Sequence, residues 1–140
     1  MPYLTIENKN IYYEEYGLGE PLLLGHGYLL NRKIWQSQIA ILSKNYHCIV
    51  PELWGHGNSD TINCEIYSIE QLARDHKLFL DQLGISKINI IGCSVAGIWA
   101  MKFAINFPEA VNSLTIISSD AGAEAQEKRQ LYFAMILAMQ

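Results

Sequence analysis

The sequence predicts an α/β fold: a mostly parallel sheet with helices on both faces, opened by an N-terminal antiparallel hairpin. Two observations predict it. The chain starts with two adjacent runs rich in β-branched and aromatic residues, "YLTIENK" and "IYYEEYG", the pattern of paired strands. After them, short continuous apolar runs such as "PLLLGHG" and "KINIIG" alternate with segments of helical spacing, the pattern of strands covered on both faces and joined by crossover helices.

Each element follows in order. Asn8, Lys9 and Asn10 separate the two opening strands, and "GLGEP" turns the chain into the strand "PLLLGHG". Residues 34 to 44 have helical spacing, "YHCIVPEL" is a second buried strand, and "WGHGNSD" is a glycine-rich loop. The helix of "SIEQLARDHKLFLDQLG" starts at Ser68 with Gln71 in capping-box spacing, carries apolar residues at 69, 72, 79 and 83, and stops at Gly84. "KINIIG" is the next strand, Val95 to Phe107 the next helix before Pro108, and "VNSLTIISS" a further strand. From Ala123 the chain turns helical again. In such sheets ligands bind beyond the carboxyl ends of the strands. Three loops, "GHGYLLN", "ELWGHGNSD" and "GCSVAG", belong to that edge and are expected to converge on one site.

Composition narrows the function. The 140 residues are half hydrophobic and 17% charged, enough for one core. A net charge of −4 without a run of lysine and arginine gives no footprint for nucleic acid or an anionic membrane. Three cysteines, Cys48, Cys64 and Cys93, have no metal-site spacing, which predicts free thiols in a reducing, cytoplasmic setting and no metal. The start "MPYLTIENKN" has no secretory pattern, and no apolar stretch has the length of a membrane span.

The chemistry centres on "INIIGCSVAG". A strand that becomes a helix within a few residues forces the apex residue, Ser94, into a strained conformation that small neighbours permit, here Gly92 and Ala96. Gly97 is expected to let the helix approach the sheet, and the helix N-terminus favours developing negative charge. The plainer reading makes Ser94 a helix cap.

The blocks "LLLGHGYLLNRKIW" (22–35), "VPELWGHGNSD" (50–60), "IGCSVAG" (91–97) and "LTIISSDAGAE" (114–124), in this order, resemble the α/β-hydrolase fold family of the serine-nucleophile type, its N-terminal portion. The resemblance implies that Ser94 attacks an acyl carbonyl of an ester, thioester or lactone and passes through an acyl-enzyme. It implies an oxyanion hole from the backbone amides of Tyr28 and Val95, with a small-molecule acyl substrate and no cofactor. It also implies that residues 1–122 are the front of the hydrolase core and 123–140 the start of a cap, since whole domains of this type need roughly 250 residues. Two positions depart from the family pattern. Ala96 stands for the first of two glycines, and Glu52 for an aspartate that supports loop structure.

A serine hydroxyl needs a base and an acid that orients it. His26 and His56 belong to loop motifs and suit loop hydrogen bonding, His47 starts a strand, and His76 falls on the apolar stripe of a helix. Asp120 follows a strand where some family members place their acid, but has no histidine partner in the pattern. Gly27 and Cys93 adjoin the expected site, Cys93 reading first as a buried small hydrophobe. Trp35, Trp54 and Trp99 read as core or pocket wall. The alternative to a hydrolase is a non-catalytic binding or regulatory protein, or an inactive remnant of the same fold. A dinucleotide site fails on the serine within "GCSVAG", which replaces the glycine that lets backbone approach pyrophosphate.

Overall fold

The computed structural model of the chain describes residues 2–63, 67–122 and 130. Strands β1 (Tyr3–Ile6) and β2 (Lys9–Tyr16) form the antiparallel hairpin, with Tyr3 opposite Tyr12 and Ile6 opposite Lys9. Its turn is tighter than the expected Asn8–Asn10. Glu7 and Asn8 alone reverse the chain, at φ 48° and 67°, because two successive left-handed residues match the twist of the strands they join. Lys9 and Asn10 therefore belong to β2.

Four further strands complete one sheet: β3 (Glu20–Gly25), β4 (Tyr46–Pro51), β5 (Ile88–Cys93) and β6 (Val111–Ile117), in the order β1-β2-β4-β3-β5-β6. β2 meets β4 antiparallel, and β4, β3, β5 and β6 run parallel. Gly25 pairs with Gly92. The strand ends that launch the expected site loops thus share one edge.

The segment expected as one helix over 34–44 opens as a tight 3-10 turn, Arg32–Trp35, whose N-terminus is capped by the Asn31 side chain accepting from the Lys33 amide. Helix α1 (Gln36–Leu42) continues it. Helix α2 (Ile69–Gln82) has the full capping box between Ser68 and Gln71, and Gly84 ends it at φ 72°, a conformation glycine adopts without a Cβ penalty. Helix α3 (Val95–Asn106) stops before Pro108. The helix expected from Ala123 lies outside the described residues apart from Gln130.

Alternation along the strands divides the core. Leu22, Leu24, Cys48 and Val50 face α1 and Trp35, whereas Leu23, Ile49, Ile88 and Ile90 face α2 and α3 with Phe79, Trp99 and Phe103. Both faces are covered, which is why the strands read as continuous apolar runs. Each of the large core side chains contributes about 1.5–3 kcal/mol by leaving water.

The close approach expected at Gly97 is present: a Cβ on Gly97 would lie 3.2 Å from the Gly92 carbonyl oxygen of β5, and a Cβ on Gly92 2.8 Å from the Gly97 Cα. A Cβ on Gly25 would lie 2.7 Å from the Ala96 Cβ, so Gly25 and Ala96 bring α3 down onto β3. The space that Gly97 leaves is filled by Ser119, whose Oγ would be 2.0 Å from a Cβ there.

Candidate active site

β5 ends at Cys93 and α3 begins at Val95, so one residue makes the corner. Ser94 does so at φ 57°, ψ −122°, the geometry of the first central residue of a II′ turn, which ordinarily belongs to glycine. The neighbours hold it there. The Ser94 amide donates to the Ile117 carbonyl at 2.9 Å, and the Ser119 hydroxyl donates to the Ser94 carbonyl at 2.5 Å. A Cβ on Gly92 would be 2.7 Å from the carbonyl carbon and oxygen of Ala96, so only glycine fits beneath the corner. The Ser94 side chain makes no capping bond. It lies against Gly27 instead: a Cβ on Gly27 would be 3.0 Å from Ser94 Cβ and 3.5 Å from its Oγ.

Two loops close around this serine. Leu53 donates its amide to His26 Nε2 at 3.0 Å, so His26 Nδ1 holds the proton and donates to the Gly27 carbonyl at 2.9 Å. Reciprocally, Leu29, at φ 62°, donates its amide to His56 Nε2 at 3.2 Å, and His56 Nδ1 donates to the Trp54 carbonyl at 2.8 Å. Burial holds the His26 imidazolium below its usual pKa. Both rings are spent on joining the loops. Among the described residues no acceptor takes the amide hydrogen of Tyr28 or of Val95.

Glu52 occupies the base of the second loop, fully buried. It accepts from Arg32 Nη1 at 2.6 Å and from the Asn58 amide at 2.7 Å, and Arg32 reaches Glu14 at 2.8 Å. A Cβ on Gly57, at φ 54°, would fall 2.0 Å from the Glu52 carboxylate. The longer glutamate is accommodated where the loop backbone is bare.

His47 bonds Glu15 Oε1 at 2.9 Å, far along β4. His76 stacks on Trp99 with ring centroids 3.7 Å apart and donates Nδ1–H to the Leu72 carbonyl at 2.8 Å. Its burial pulls the pKa down to about 4. All four histidines of the chain are thereby placed, and none bonds Ser94. Asp120 is exposed and accepts from the Gly122 amide at 2.8 Å. Cys93 is half-buried and packs with Ile91 on the α1 side of the sheet. Among the described residues no group of three or more histidine, cysteine, aspartate or glutamate side chains is placed to hold a metal.

A cavity of about 410 Å³ joins these parts, lined by Tyr28 and Val95 on one side and by Leu53, Trp54, Tyr67 and Leu72 among others. Behind its wall stands Asp75 of α2, 7% exposed. Trp54 Nε1–H donates to Asp75 Oδ2 at 2.7 Å, and the Tyr67 hydroxyl donates to the same oxygen. Burial and this carboxylate push the Tyr67 phenol above its ordinary pKa range. Asp75 and Ser119 are not legible as site residues in the sequence. Asp75 sits in a helical pattern and reads as a solvated charge, and Ser119 acts through a backbone carbonyl 25 residues away.

The family model for the alpha/beta hydrolase fold matches residues 20–136. The chain belongs to this family. A crystal structure from a study of carboxylesterases of the thaumarchaeon Nitrososphaera gargenis superposes with a TM-score of 0.89 at 28% identity, over 95% of this chain and 51% of that one. Est816, described as an N-acyl homoserine lactone degrading enzyme, superposes at 0.85 with 30% identity, over 94% of this chain and 52% of that one. In sequence, the RutD protein of Azorhizobium caulinodans is 33% identical over 92% of this chain and 48% of its own length. The pimeloyl-[acyl-carrier protein] methyl ester esterase of Legionella pneumophila is 34% identical over 79% and 42%. The chain therefore spans about half the length of the curated relatives it matches.

Proposed function

We propose that Ser94 is the nucleophile of a serine hydrolase acting on an ester, thioester or lactone, with the amides of Tyr28 and Val95 as its oxyanion hole. The observation that supports this reading is the strained corner at Ser94, whose side chain lies against Gly27. Esterase and lactone-degrading relatives support the substrate class.

In this mechanism Ser94 Oγ loses its proton to a base and bonds the acyl carbon. The carbonyl oxygen becomes an oxyanion held by the two amides, each worth about 3 kcal/mol in the transition state. Collapse expels the alcohol or thiol, which takes the proton back, and leaves Ser94 acylated. Water, deprotonated by the same base, then frees the acid and restores the hydroxyl. All four histidines of the chain bond elsewhere, so none of them is the base in this reading. Residues 1–122 act as the core, 123–140 as the beginning of the cap, and the enzyme works in the cytoplasm without a cofactor.

The test is labelling of the native protein with a fluorophosphonate followed by peptide mass spectrometry. The expected adduct sits on Ser94 and disappears in Ser94→Ala. An unlabelled Ser94 in native protein would sink the assignment. The histidine placements favour a second reading, a binding protein that keeps the cavity without turnover, and that same negative result selects it.

A further inference from the structure

We infer that the cavity beside Ser94 receives an uncharged, apolar group of the substrate, and that Asp75, behind its wall, positions that wall and excludes a carboxylate tail. The inference deepens the hydrolase reading and rests on it for the identity of the ligand as an acyl compound.

Trp54 and Tyr67 both line the cavity, and both turn their polar atoms away from it toward Asp75 Oδ2. Ring carbon is what they present to a ligand. Leu53, Leu72 and Val95 continue the apolar lining. Its other polar members are Tyr28, Thr61 and His56, whose two ring nitrogens are taken by the Leu29 amide and the Trp54 carbonyl, and among the described lining residues there is no lysine or arginine. A carboxylate entering here would lose its water shell without gaining a cation. It would also meet the negative charge of Asp75 through a low-dielectric wall, where like charges repel far more strongly than in water. An alkyl group loses nothing polar and covers the rings. Asp75 thus acts through Trp54 and Tyr67 and through its field, as a positioning and selectivity residue.

The experiment compares p-nitrophenyl hexanoate with the p-nitrophenyl monoester of adipate, acyl chains of equal length differing in a terminal methyl or carboxylate. With native protein, kcat/KM is expected to favour the hexanoyl ester by at least about 100-fold. Asp75→Asn keeps the size and one acceptor, and is expected to cut that preference at least about 10-fold, by lowering KM for the adipate ester more than it changes KM or kcat for the hexanoyl ester. A scaffold role alone would slow both esters equally.

Binding is read separately in Ser94→Ala, through the indole N–H resonance of Trp54 assigned with Trp54→Phe. Methyl hexanoate is expected to shift it, and monomethyl adipate at the same concentration to leave it in place. Should neither ester be hydrolysed while methyl hexanoate alone moves the resonance, the hydrolase reading fails and the cavity assignment stands. Equal kcat/KM for the two esters, or equal shifts with the two ligands, overturns the inference. Both comparisons use an intact Asp75, so they decide the matter even if Asp75→Asn does not fold.

Discussion

Replacing Ser94 by glycine and, separately, by alanine measures the strain at the corner. Both changes remove a hydroxyl that has no hydrogen-bond partner among the described residues, so that loss cancels between them. At an ordinary position glycine is the less stable by about 0.5–1 kcal/mol, because its unfolded chain has more freedom to lose. At φ 57°, ψ −122° a Cβ costs about 1–3 kcal/mol, which glycine recovers and alanine does not. At the middle of both ranges the difference leaves Ser94→Gly the more stable by about 1 kcal/mol. Urea unfolding of the two variants of the native protein reads this directly, since 1 kcal/mol moves the midpoint by roughly 0.5 M at a slope near 2 kcal/mol/M. A Ser94→Ala midpoint equal to or above that of Ser94→Gly would refute the argument that the corner is strained.

Other consequences are as direct. Ser119→Ala removes the hydroxyl that donates to the Ser94 carbonyl at 2.5 Å; it is expected to cost about 1 kcal/mol and to slow fluorophosphonate labelling of Ser94 several-fold, read by timed mass spectrometry. Arg32→Ala leaves the fully buried Glu52 without its cation and is expected to lower stability by about 3–5 kcal/mol in a denaturant titration. His76 has a folded-state pKa of about 4, below its ordinary 6.5, so the unfolded chain takes up the proton first. Its contribution is complete above about pH 6.5 and is lost as pH falls toward 4, on the order of 3 kcal/mol. The urea midpoint between pH 7 and pH 4 is expected to drop less in His76→Phe than in the unmodified protein.

The sheet was legible because its signals are local. Continuous apolar runs give β3, β4 and β5, and Ser68 with Gln71 gives the start of α2 from four adjacent residues. The corner at Ser94 was legible for the same reason, since Gly92 and Ala96 lie only two residues either side of it. What stayed hidden depends on partners distant in the chain. Gly97 reads as a helix–sheet contact and is one, but that the Ser119 side chain also packs into its gap depends on the segment that follows β6. Trp54 reads as core, and only the folding of α2 against its loop brings Asp75 Oδ2 to the indole. The short hairpin turn was misread because Lys9 and Asn10 are polar residues on an edge pair of strands, where one face meets water and composition does not separate strand from turn.

The paired imidazole bonds between the first two loops carry a lesson for protein engineering. Residues 26–31 and 52–59 form a single cassette, because each supplies a histidine nitrogen that the other's leucine amide requires. A graft of the tyrosine-bearing segment alone would orphan the Leu53 amide, and a graft of the tryptophan-bearing segment alone would orphan that of Leu29. New specificities on this scaffold are therefore best recombined with both segments exchanged as one block.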